Sequence, residues 1–432
     1  MCVKSRLLLP MYHFINKHLC RVVLIIVGCV SVSAADARTW TSKAGTNIDA
    51  ELVKRQGDRV ALLTDKGRKL NVKMADLSED DQQFLAELLI KDAGTEIEGI
   101  DAVPGKLSGS IKCADSKWTY HVYLPKNFHM ARKWPVWFIM NSGGGVGGGM
   151  MKRYIKGAEA SGAILVGSVE SKNKFEESQA AMEAMAHDVY ERFPVEEKFA
   201  FSSGISGGGR QSYLLAETNK NIAGLIPCGA GGGVYPDGKP FREANLRKKT
   251  YVYSLVGTNC FNRTGCYKTH QSLSDDCRLR FFPGNHDWAN ADLLEQGMMH
   301  VMGKAILANK SFDSYRQYYL PSLKEMVERL REDTPWESYH LAALGEELDE
   351  RYEKGYFAKQ VSKLENDPKV DLALKAEKDI EKLCSMFYLK FTYHSGDRDD
   401  NAKRTETGEK LSEAYSEIPH GELLRRLGVK CK

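Results

Sequence analysis

A serine set among glycines carries the most chemistry in this chain. Gly204-Ile205-Ser206-Gly207-Gly208 fits G-x-S-x-G, the pattern of a serine standing on a sharp turn from strand into helix. Residues 198–203 before it read as a buried strand, and 210–217 after it as a helix. Glycine is required there because a chain that reverses so tightly leaves no room for side chains. The first N–H groups of the helix point at the serine, where the negative charge of an acyl-transfer intermediate would collect. Ser206 is therefore the candidate nucleophile. A tight glycine turn without chemistry is the plain alternative.

A serine nucleophile needs a base and donors for the oxyanion. His286 is the candidate base. It lies in Pro283-Gly284-Asn285-His286-Asp287-Trp288, directly after the last predicted strand and after the serine in chain order. The oxyanion donors expected are the N–H of Gly207 and that of Gly143 or Gly144, in the glycine run 143–149 that follows an apolar strand. Trp288 either lines a sugar or aromatic pocket or closes the core. Arg210, one turn into the helix, reads as a solvated arginine or as a contact for an acidic substrate group. His121 and His187 look structural, and His270 and His300 are at most pocket residues. Gly143, Gly145 and Gly148 also fit G-x-G-x-x-G, with Glu170 where a ribose-binding acid would sit, but that reading leaves Ser206 and His286 without a role. No Gly-Lys-Ser/Thr follows the glycines and no C-x-x-C pair exists, so neither a phosphate loop, a cofactor nor a metal is expected.

Length and composition bound these readings. A chain of 432 residues with 42 % hydrophobic and 27 % charged residues is long enough for two or three domains with a sizeable core. The formal charge of +4 is carried by Lys4, Arg6, Lys17 and Arg21, so the rest of the chain is neutral. Nothing electrostatic then points to nucleic acid or an anionic membrane surface. Residues 1–35 read as an export signal: a basic stretch, a short apolar run 22–27, and small residues around Ala34 and Ala35. The run is too short to span a bilayer. Cys29 offers a rival, lipid anchoring, because Ile26-Val27-Gly28-Cys29 is similar to a bacterial lipobox. Beyond the signal lie seven cysteines, some of which could pair outside the cytosol.

Residues 38–90 read as a small β-rich unit: strands at 48–53, 59–64 and 69–73, then a helix opened by Ser78. The run from Arg38 to Leu85 resembles the SLA-type homology domain, an SH3-like barrel of exported bacterial proteins. That resemblance implies binding of a protein or glycan ligand rather than chemistry. Residues 91–104 read as a linker. Residues 105–307 alternate strand and helix, the pattern of a mostly parallel sheet covered on both faces. Residues 311–432 read as a helical appendage with no chemistry, and 396–408 as an exposed polar loop.

The order of elements in 105–307, with the glycine loop, the G-x-S-x-G corner, Val256-Gly257-Thr258 and the His286 segment, resembles the α/β-hydrolase fold, in particular secreted esterases of the polyhydroxybutyrate depolymerase and carbohydrate esterase kind. The resemblance implies an aspartate just after Val256-Gly257-Thr258, where it would orient the histidine. This chain has Asn259 and Cys260 there. Either the acid has moved, to Asp237, Asp275 or Asp276, or Asn259 fixes the imidazole through its carbonyl. Asp287 adjoins His286 but would point away. The expectation is an exported serine hydrolase acting on a small-molecule or polymeric carboxylic ester, such as an acylated carbohydrate or a polyester. The alternatives are a catalytically degenerate hydrolase domain that binds a surface or matrix ligand, and a peptidase.

Overall fold

The structure, a computed structural model, describes residues 38–233, 241, 246, 250–274, 276–348, 355–388 and 398–429. The expected export signal with Cys29, and the candidate acids Asp237 and Asp275, lie outside the described residues. The chain divides into two compact units, 1–92 and 93–432.

In the first unit β1 (Arg38–Thr41), β2 (Asn47–Gln56), β3 (Arg59–Thr64) and β4 (Lys69–Lys73) form an antiparallel meander in sequence order. Alternation puts Ala50, Leu52, Val60 and Leu62 on one face, where they bury Trp40, Leu77 and Leu85. Helix α1 (Glu79–Ala93) starts where the sequence indicated: Ser78 Oγ accepts the Asp81 N–H at 3.2 Å and donates to the Asp81 carboxylate at 3.0 Å.

The second unit holds one eight-stranded sheet. Its elements in chain order are β5 (Ile111–Lys112), β6 (Thr119–Tyr123), β7 (Trp134–Asn141), α2 (Gly148–Ser161), β8 (Ile164–Ser168), α3 (Ser178–Arg192), β9 (Val195–Ile205), α4 (Gly207–Thr218), β10 (Ile222–Cys228), β11 (Tyr251–Gly257), α5 (Arg263–Gln271), β12 (Arg278–Phe282) and α6 (Ala291–Ala308). The strands lie in the order β5-β6-β8-β7-β9-β10-β11-β12, and all are parallel to their neighbours except β6, which runs against both of its own. This mixed, mostly parallel arrangement fits the α/β-hydrolase fold. The central strands are apolar on both faces because helices cover both. Trp137 and Ile139 of β7 face the α2/α6 side, and Val136, Phe138 and Met140 the α3/α4 side. Across β7 and β9, Trp137 stacks on Phe201 at 4.8 Å, a pair worth about 1 kcal/mol beyond area burial.

Beyond α6 the chain is helical: α7 (Arg316–Leu330), α8 (Pro335–Leu348), α9 (Tyr356–Glu365), α10 (Pro368–Phe387), α11 (Arg398–Ala414) and α12 (Pro419–Gly428). These helices share cores with the sheet. Leu323, Val327, Leu341 and Leu344 join the cluster of α2 and α6, and Arg280 of β12 pairs with Glu337 of α8 at 2.7 Å. The polar run read as an exposed loop is instead α11 over its described part. Its few apolar residues give no stripe, but the buried Arg404 donates to the Gly428 carbonyl at 3.0 Å, and Gly408 packs against Gly428.

His300, expected at most in a pocket, is buried within α6 against Tyr253, with neither ring nitrogen hydrogen-bonded. Burial holds its pKa well below the ordinary 6.5, and the charges of Arg278, Lys304 and His340 push the same way. The unfolded chain binds the proton first as pH falls below 6.5, so stability is lost on the acid side. Compared with the wild type, His300→Leu should lose several degrees less in melting temperature between about pH 7 and pH 5, read by calorimetry.

Candidate active site at the carboxyl edge of the sheet

Connections leave β7 and β9 in opposite directions, to β8 on one side and to β10 on the other. A crevice opens at such a point outside the carboxyl ends of the strands. The register brings the strand ends level: Asn141 of β7 and Cys228 of β10 both pair with Ile205 of β9. The loops after β7, β9, β10, β11 and β12 therefore emerge side by side, and they carry Gly143, Ser206, Gly229, Cys260 and His286.

Ser206 follows β9 as the cap of α4, with φ 54° and ψ −116°. It is one of two described non-glycine residues with positive φ, a conformation costing about 1–3 kcal/mol and held only by its surroundings. Its N–H donates to the Cys228 carbonyl at 2.9 Å and its own carbonyl accepts the Arg210 N–H at 3.1 Å, which pins the corner from both sides. The glycines around it are steric necessities. A Cβ at Gly204 or Gly208 would strike the Met140 carbonyl oxygen at the end of β7. Gly208→Ala should accordingly cost more than about 2 kcal/mol and remove any activity of the corner, checked by denaturant unfolding and an active-site label.

The N–H of Gly207 lies in the first turn of α4, where no carbonyl of the helix can accept it. Opposite it, the loop after β7 folds on itself: Gly144 N–H donates to the Asn141 carbonyl at 3.0 Å and Gly145 N–H to the Val169 carbonyl at 2.6 Å. Asn141 Nδ2 closes the loop by donating to the Gly144 carbonyl at 2.9 Å. Of the two alternatives expected, Gly144 is thus committed within the loop, whereas Gly143 is exposed and its N–H donates to no backbone carbonyl among the described residues. Asn173 was not anticipated. From the loop after β8 its N–H donates to the Ser142 carbonyl at 2.8 Å, and its side-chain amide covers Gly207 so closely that any Cβ there would collide with it.

His286, on the loop after β12, is half-buried and lies over Gly229. A Cβ at Gly229 would stand 3.1 Å from Nδ1, and Gly229 directly follows the Cys228 that holds Ser206. The imidazole and the serine corner therefore flank the same short stretch of chain. The structure records no direct hydrogen bond between Ser206 Oγ and His286, and such contacts commonly tighten only when substrate binds. The ring of Phe261, 66 % exposed, packs against the imidazole with centroids 4.0 Å apart. Burial lowers the His286 pKa from 6.5, and the positive charge of Arg210 lowers it further against the opposing effect of Asp287. The imidazole is thus neutral at pH 7, as a general base must be.

The third position differs from the expectation. Asn259, expected to fix the imidazole, turns its side chain to solvent, while its N–H bonds the Gly284 carbonyl at 2.8 Å. The next residue, Cys260, is fully buried and places Sγ 3.0 Å from His286 Nδ1. A sulfur stands where a carboxylate would serve a triad. One residue decides this, within a turn after β11 closed by the Cys260 N–H donating to the Gly257 carbonyl at 2.9 Å. Asp276 pairs loosely with Lys304 at the start of β12, at the other end of that strand. The exposed Asp287 accepts the Trp288 N–H at 2.7 Å. None of the six described cysteines is in a disulfide, and all are buried.

Trp288 sets its ring edge against Tyr154 at 5.8 Å, whose hydroxyl bonds Ser203 at 2.6 Å, so it closes the core behind the serine strand. It also borders a cavity of about 1080 Å³ on the far side of β12, walled by Trp336, Glu337, Glu377 and His420 and reached by neither Ser206 nor His286. His270 lines that cavity too. His121 Nδ1 holds the Ser108 carbonyl at 3.3 Å, and Glu170 accepts from Thr119 at 2.5 and 3.0 Å, so both serve hydrogen bonds within the fold. Among the described residues no helix is long and apolar enough to cross a membrane, and no group of three metal-ligating side chains occurs.

No protein-family profile and no curated protein matches the chain. Solved structures do. A ferulic acid esterase is 18 % identical, over 46 % of this chain and 98 % of that one, with a TM-score of 0.37. The fluorophosphonate-binding serine hydrolase F of Staphylococcus aureus is 13 % identical, over 46 % and 99 %, at 0.36. The s-formylglutathione hydrolase of the same organism is 12 % identical, over 47 % and 100 %, at 0.36.

Proposed function

We propose that the second unit is a serine hydrolase of carboxylic esters, working through an acyl-enzyme on Ser206. The observation that carries this is the strained Ser206 at the switch point of the sheet, with a helix N-terminus behind it and His286 across the Cys228–Gly229 bond. Ser206 Oγ attacks the acyl carbon as Nε2 of His286 takes its proton. The oxyanion forms against the N–H groups of Gly207 and Gly143. The imidazolium then protonates the departing alcohol, and water repeats the cycle to release the acid. Acylated carbohydrates or polyesters are the substrate class we favour, with the chain exported on its first 35 residues. The antiparallel first unit, on its SLA-type resemblance, would hold a protein or glycan ligand.

A fluorophosphonate probe tests the reading: it should label the wild type at Ser206 and leave Ser206→Ala unlabelled, and equal labelling of both would remove Ser206 from the mechanism. A second reading has its own motive, the sulfur at the position of the acid. A binding domain without turnover would retain glycan or matrix material equally well with and without the serine hydroxyl, and would turn over no ester.

A further inference from the structure

Arg210 is the feature of the crevice that ester hydrolysis leaves without a role. It follows Ser206 by one turn of α4 and is half-buried. Its Nε lies beside the glycine stretch after β10, where a Cβ at Gly233 would be 3.2 Å away, and the first glycine of that stretch, Gly229, carries the His286 ring. Several half-buried arginines face carboxylates, Arg38 with Asp81, Arg192 with Asp188, Arg280 with Glu337 and Arg316 with Asp313, whereas Arg132 lies on the rings of Trp134 and Tyr318. Arg210 pairs with no carboxylate among the described residues. A partly desolvated guanidinium is stabilised by an anion that reaches it. Here the charge also opposes the imidazolium that the reaction must form, adding to the burial that already lowers the His286 pKa. A group that works against the base at rest is accounted for if the substrate brings the compensating charge.

Resting on the esterase reading, we propose that Arg210 is a specificity-determining residue that binds a carboxylate carried by the substrate close to its scissile ester. The guanidinium fork matches a carboxylate in two parallel hydrogen bonds. The bound anion then neutralises the charge beside His286, so that correct substrate both docks and eases protonation of the base. Whether the carboxylate belongs to the acyl or the alcohol part is for the experiment to assign.

The test uses the full chain and two matched ester pairs. On the acyl side 4-nitrophenyl hemisuccinate is compared with its methyl ester, and on the alcohol side 3-carboxyphenyl acetate with 3-(methoxycarbonyl)phenyl acetate. For one pair the wild type should favour the anionic ester at least about tenfold in kcat/KM, and Arg210→Gln should bring that ratio near one, with Arg210→Lys between. The acid limb of kcat/KM on neutral ester should also move to higher pH in Arg210→Gln, a shift that a purely structural role would not produce. Ratios near one for both pairs in the wild type, or an unchanged ratio in a folded Arg210→Gln, overturn the assignment while leaving the esterase reading intact. A wild type that turns over none of the four and takes no fluorophosphonate label overturns both.

Discussion

Ser206→Ala should lower ester turnover by at least about a thousandfold while leaving the fold unchanged. In intact serine triads, loss of the nucleophile costs about a millionfold, and loss of the acid alone about ten-thousandfold. These contributions are not additive, since the groups act as one unit. A site that meets His286 with a sulfur starts lower, so less remains to lose on removing the hydroxyl. The stability side of the prediction follows from the backbone. Alanine keeps the Cβ, so the cost of holding φ at 54° persists and the melting temperature should stay within about 2 °C. Steady-state kinetics with active-site titration, alongside a melting curve, measure both. Turnover within tenfold of the wild type in a fully folded Ser206→Ala protein would reject the acyl-enzyme.

Cys260→Asp should raise kcat by about a hundredfold or more. The argument turns on which nitrogen of His286 carries the proton. A thiol can donate as well as accept, whereas a carboxylate only accepts. When Cys260 donates to Nδ1, the ring proton sits on Nε2 and the imidazole cannot take one from Ser206. Only the tautomer with Nδ1–H facing the sulfur is competent. An aspartate selects that tautomer and stabilises the imidazolium, the two effects lost with the acid in the triad template, about ten-thousandfold together. Part of that gain is offset because the Cys260 position is fully buried and a carboxylate must be desolvated there. A nearby negative charge favours the protonated imidazole, so the acid limb should move up from its depressed position. The pH profile of kcat/KM measures this independently of the rate. Cys260→Ala, which removes the sulfur without adding charge, should not gain. If Cys260→Asp folds and is slower than the wild type, the sulfur is not standing in for an acid.

Each part of the site is legible in the sequence to the extent that its determinants are local in the chain. The corner at Ser206 was readable because its demands are local. A serine at φ 54° with two backbones pressed on its flanks admits only glycine around it, and that constraint is written in consecutive letters. The positions of the central strands were readable for a similar reason: strands covered on both faces must be continuously apolar. The capping serine at the start of α1 belongs to the same class.

What the tertiary structure alone decided depends on direction and on meetings across the chain. Asn259 and Cys260 are adjacent, and only the angle at which the chain leaves β11 turns one to solvent and the other to His286. Asn173 and Phe261 reach the crevice from loops whose composition marks nothing, because their roles arise from strands aligned at one edge of a sheet. Arg210 read in the sequence either as a solvated helix arginine or as a contact for an acidic substrate group, and only the packing sets it beside the glycines after β10 and near the imidazole. The helix Arg398–Ala414 was hidden for the converse reason. Its buried groups are polar and glycyl, satisfied by carbonyls of α12 far along the chain, so no apolar period announced it. Steric limits on neighbouring residues are properties of the sequence. Which groups face one another across a crevice is a property of the packed sheet.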